Sequence, residues 1–127
     1  MSKTPALRAV ICDVLSGVTQ ETVYFQQAEK GHADKYLVYT LDEVLKEDER
    51  ITLELEINVM DYGNDTSAAE TLADAVQAAF DKLFRMTEEI AVYFYAARRN
   101  SPSEEDRLVI RRRMTFTAYL YERSQTT

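Results

Sequence analysis

Three consecutive arginines, Arg111, Arg112 and Arg113, are the densest concentration of one chemistry in this chain, and Arg98 and Arg99 lie a short way before them. A guanidinium is a planar fork of donors that matches carboxylate and phosphate oxygens two at a time. In an extended chain successive side chains alternate faces, so Arg111 and Arg113 share one face and Arg112 takes the other. Three uses follow from that placement. The arginines can pair across a sheet with Glu54 and Glu56, at ~0.2–1 kcal/mol per pair. They can meet an acidic neighbouring subunit. They can hold nucleic acid, but the chain carries a net charge of −7 and a pI near 4.7, and no aromatic platform is joined to a wider basic groove.

The other reactive residue types are sparse. Nucleophilic catalysis needs a Ser, Cys or Thr beside a base, and the single histidine, His32, falls in a polar loop next to Gly31. Cys12 is the only cysteine, so neither an internal disulfide nor a thiolate cluster is available. It sits between Ile11 and Asp13 in a helical pattern and reads as a small buried residue. The three glycines, Gly17, Gly31 and Gly63, are too far apart for a phosphate loop. Glu54 and Glu56 share a strand face, but acid–base work needs a pocket that separates their pKa values, and an open sheet face offers none. Asp61, Asn64 and Asp65 lack the remaining ligands and terminal glutamate of a calcium loop. The sequence therefore predicts no catalytic site, no cofactor and no metal, and a protein that is not an enzyme.

The elements that position these residues are legible in the hydrophobic periods. Thr4-Pro5 reads as an N-cap with proline at the first helical position. Leu7, Val10, Ile11, Val14 and Val18 recur at helical spacing, and Gly17 stands where that helix, over about residues 5–16, should stop. Val23-Tyr24-Phe25 has the composition of a short strand, and Lys30 to Asp34 that of a polar loop. Tyr36 to Leu41 is aromatic and β-branched, as strands are. Lys46-Glu47-Asp48-Glu49-Arg50 is a solvated turn. Ile51, Leu53, Leu55, Ile57 and Val59 then alternate with polar residues in strict period two. Ser67-x-x-Glu70 has the form of a capping box. Behind it Leu72, Val76, Ala79, Phe80 and Leu83 make one apolar stripe, predicting a helix of about five turns. Ile90 to Tyr95 is a further strand, Asn100-Ser101-Pro102-Ser103 a turn, and Leu108 to Tyr121 the last and longest strand. Met114, Phe116, Ala118 and Leu120 line one of its faces; Thr115, Thr117, Tyr119 and Tyr121 line the other.

The fold class that results is α+β, a two-layer α-β-β-α-β-β sandwich with a twisted, mainly antiparallel sheet covered by two helices. The 127 residues, 46% hydrophobic, suit one domain over 1–127 with no linker or repeat. No segment approaches the ~18 apolar residues of a membrane span, and no signal-peptide pattern opens the chain. The expectation is a soluble protein made in a reducing cytoplasm.

Taken together, the Tyr36–Leu41 strand, the strand closing on EINVMDYGND, the capped AAETLADAVQAAFDKL helix and the final RRRMTFTAYLYE strand resemble the tail terminator, or tail completion, proteins of long-tailed bacteriophages. The likeness runs from about residue 6 to 122. It implies one tail-terminator-like domain that forms a ring with copies of itself, commonly a hexamer. Such a ring caps the tail-tube protein and offers its other face to a head connector or stopper protein. Its bore lets DNA pass without specific binding, and no membrane is involved. The implied setting is the tail or neck of a virion, from a phage or prophage, assembled in the bacterial cytoplasm. A cyclic ring needs two different patches on each subunit. The long last strand, taken as an edge, can supply pairing between subunits. Tyr93, Tyr95, Tyr119 and Tyr121, opposite the core residues of their strands, suit interface duty beside Arg111 and Arg113. Residues 19–35 match no signature of that family. Two other classes compete: another neck or minor tail protein, and a small bacterial ligand-binding module on the same architecture, since fold alone does not fix function.

Overall fold

The computed structural model describes residues 4–62, 66–101 and 109–123. The first helix, α1 (Thr4–Ser16), buries Leu7, Val10, Ile11, Val14 and Leu15; Leu15 joins the predicted stripe, while Val18 falls beyond the helix and is only partly buried. It ends as the glycine predicts: the Gly17 amide donates to the carbonyls of Asp13 and Val14. A short strand β1 (Thr22–Phe25) follows, then β2 (Lys35–Lys46) and β3 (Arg50–Tyr62), α2 (Thr66–Phe80), β4 (Leu83–Met86), β5 (Ile90–Asn100) and β6 (Val109–Glu122).

The class α+β holds, but the element order is α-β-β-β-α-β-β-β rather than α-β-β-α-β-β. Two four-residue strands account for the difference. β1 is the segment Val23-Tyr24-Phe25, and it runs parallel to β2. β4 takes Leu83, which the helical spacing had placed on α2. The helix stops at Phe80 because Lys82 adopts a left-handed conformation, φ 57°, and the chain leaves as a strand. The helix also starts at Thr66, so Ser67 lies within its first turn, and Glu70 pairs with two arginines.

The six strands form one sheet in the order β1-β2-β3-β6-β5-β4, antiparallel except for β1–β2. The long last strand is therefore central and not an edge: β6 pairs with β3 from Val109 to Tyr121 and with β5 from Arg113 to Glu122. β6 and both of its neighbours pack against the same helix, α2. Phe80 of α2 packs its ring 5.2 Å from that of Phe94 and 5.4 Å from that of Phe116. Around them lie Leu55, Ile57, Val76, Ile90, Val92 and Met114, all buried. Burying such side chains is worth ~1.5–3 kcal/mol each. On the side of β1, Arg8 of α1 stacks 4.0 Å over the Phe25 ring and donates to the Tyr39 hydroxyl. Cys12 is exposed, not buried, with its Sγ 3.6 Å from the same hydroxyl. Burial is the main cause that pushes the Tyr39 phenol above its ordinary pKa. Both helices thus lie on one face of the sheet, and on the other the loop between β1 and β2 comes against the start of β2 at Tyr36.

Candidate interaction surface

The register decides what that second face carries. Tyr93 lies opposite Tyr119, and Tyr95 opposite Thr117, across the β5–β6 pair. The rings of Tyr95 and Tyr119 meet edge to face at 5.8 Å, and those of Tyr93 and Tyr121 at 6.3 Å. Phe84 of β4 joins Tyr93 at 4.5 Å. Arg50 places its guanidinium 5.0 Å over the ring of Tyr119, held there by Glu47, whose hydrogen bond is also the leading cause raising the Arg50 pKa. All four predicted tyrosines therefore belong to one aromatic cluster at one end of the helix-free face. Phe84 is a member that the sequence reading missed, because it was assigned no strand of its own.

The predicted arginines sit on the same face toward the other end of β6 and are already engaged. Arg111 donates to the Asn58 side chain at 2.7 Å. Arg113 reaches Glu56 at 3.4 Å and donates to the Asn100 side-chain oxygen Oδ1 at 3.2 Å. Arg98 stands 4.0 Å from Glu54. The cross-sheet pairing with Glu54 and Glu56 is what the structure holds. Arg112, on the opposite face as alternation requires, pairs with Glu70 of α2. Arg99 ties the same helix at Glu70 (2.7 Å) and Asp74 (2.6 Å), with Gln77 accepting a further bond. The Arg112 hydrogen bond is the largest cause holding Glu70 below its ordinary pKa.

His32 lies in the loop before β2, its ring 4.1 Å from that of Tyr36. Asp61 is buried; Asn64, Asp65, Gly63, Pro102 and Ser103 lie outside the described residues. Among the described residues no three or more of His, Cys, Asp and Glu gather as a metal site would need. No described helix is long and apolar enough to cross a membrane.

No family model matches the sequence, and no curated protein matches it. Solved structures do. A chain of the virion of a native gene transfer agent particle superimposes with a TM-score of 0.66 at 16% identity, over 85% of this chain and 84% of that one. A second solved chain, whose name states no function, superimposes with a TM-score of 0.73 at 13% identity, over 98% of this chain and 99% of that one. At such identities the likeness is one of fold, and it extends over nearly the whole of each chain.

Proposed function

We propose that this chain is a structural component of a phage or phage-like particle, and that it acts as the terminator of the tail. In this reading copies assemble into a ring, cap the last layer of tail-tube protein and present the other side to the head connector. The observation that carries it is the fold likeness to a chain of a gene transfer agent virion, over 85% of this chain. The sequence resemblance to tail terminators, stated on independent grounds, points to the same kind of particle and to one place within it. The helix-free face adds support, since it offers aromatic side chains at a surface where tyrosine is favoured for contacts between proteins.

The test is electron microscopy of the purified chain mixed with tail tubes of the particle it belongs to. The expected outcome is added density confined to tube ends, in rotational register with the tube. Tubes whose ends stay bare, or that are decorated along their sides, would refute the terminator role.

A further inference from the structure

The two edges of the sheet are stepped. On one side β1 covers β2 only from Tyr36 to Tyr39. On the other side β4 covers β5 only from Ala91 to Phe94. Among the described residues no strand pairs with the outer side of β2 from Thr40 to Lys46, or of β5 from Tyr95 to Asn100. Both open stretches contain a bulge. Val44 is the extra residue in β2, between Glu43 and Leu45, and Ala97 the extra residue in β5, between Ala96 and Arg98. A bulged edge resists pairing with an ordinary strand, because side chains beyond the bulge fall out of phase. It accepts a strand bulged at the matching place.

We propose that these two edges join copies of this chain, β2 of one against β5 of the next, as a continuous antiparallel sheet. The inference rests on the ring reading and names the joint within it. In the sheet order β2 and β5 run in opposite directions, so rotating a copy about an axis along the strands brings β5 antiparallel to β2. One register satisfies the pleat on both sides of the paired bulges: Thr40 opposite Asn100, Asp42 opposite Arg98, and Leu45 opposite Tyr95. Each of these six residues belongs to the helix-free face by its own pairing within the chain, with Glu56, Glu54 and Thr52 for the first set and Arg113, Thr115 and Thr117 for the second.

The chemistry of that register is complementary. Asp42 meets Arg98, whose side chain is 66% exposed with a carboxylate only at 4.0 Å. Leu45, 52% exposed, meets Tyr95, 43% exposed. The acidic turn Glu47-Asp48-Glu49 then falls toward Lys82, just before β4, and Arg85 within it. The two edges differ, so the contact is head to tail, as a cyclic assembly requires and a two-fold dimer does not.

Two measurements test it, both in a Cys12→Ser background. Thr40→Cys and Asn100→Cys are placed in separate chains, mixed at millimolar protein or on tail-tube ends, and oxidised. A disulfide-linked dimer is expected from the mixture and not from either chain alone. Independently, Asp42→Arg and Arg98→Asp should each abolish self-association while melting stays cooperative, and the two combined in one chain should restore it. Rings that form with no 40–100 link and with indifference to both reversals overturn the edge joint and leave the proposed function standing. A chain that neither self-associates nor binds tube ends overturns both.

Discussion

Arg112 parts from Arg111 and Arg113 by the alternation of one strand, and its partner on α2 gives the parting an energetic consequence. Glu70 takes Arg112 on one oxygen and Arg99 on the other, so one carboxylate couples β6 and β5 to the helix. The carboxylate is partly exposed, so its contribution is discounted for solvent screening to ~1 kcal/mol. Its pKa is lowered in the folded state. The native state therefore prefers the ionised form. That contribution is complete above the unfolded value of ~4.3 and is lost as pH falls through the lower folded value. Glu70→Gln should accordingly lower the urea midpoint at neutral pH, and the gap between variant and parent should close below about pH 4. A gap that persists unchanged in acid would mean that the carboxylate's charge plays no part.

At the scale of the elements, α2 ends in a conformation that its sequence does not favour. Lys82 holds φ at 57° immediately before β4, a place where glycine avoids the clash of a β-carbon. Lys82→Gly should stabilise the fold by ~0.5–1 kcal/mol, raising the melting temperature by a few degrees. Lys82→Val should lower it. This position also explains where the sequence misled. Leu83 continues the apolar stripe of Leu72, Val76 and Phe80, and no Gly or Pro marks the break, so the period alone carries the helix too far. β1 and β4, four residues each, are too short to show a period. By contrast β3, β6 and the buried face of α1 were legible because many alternations or turns agree. The candidate surface was legible by face but not by neighbour: Tyr119 and Tyr121 had to leave the core side of β6, yet only the strand order shows that they meet Tyr95 and Tyr93. It also shows that β6 is central, since a long apolar strand reads the same at an edge and in the middle.

For the molecule as a whole the question is what a chain whose sheet carries Arg98, Arg99 and the run Arg111 to Arg113 does near DNA. The net charge of −7 opposes approach to phosphate. The arginines themselves are turned to partners within the chain: Arg98 toward Glu54, Arg99 and Arg112 to Glu70, Arg111 to Asn58, Arg113 to Glu56. A guanidinium whose charge is offset by a carboxylate is less able to neutralise a phosphate, and it is phosphate neutralisation that releases the cations condensed on DNA and drives binding. The chain should leave duplex DNA unshifted in a native gel at ~0.1 M salt. A ring whose bore passes DNA without holding it requires such indifference. The cause is separable from net charge by one variant. Glu54→Gln with Glu56→Gln frees Arg98 and Arg113 and changes the charge by only two. If internal pairing is what silences the arginines, this variant should gain weak binding whose salt dependence has a log–log slope near −2, the signature of about two phosphate contacts. If the variant stays as inert as the parent, the acidic surface and not the pairing keeps DNA away.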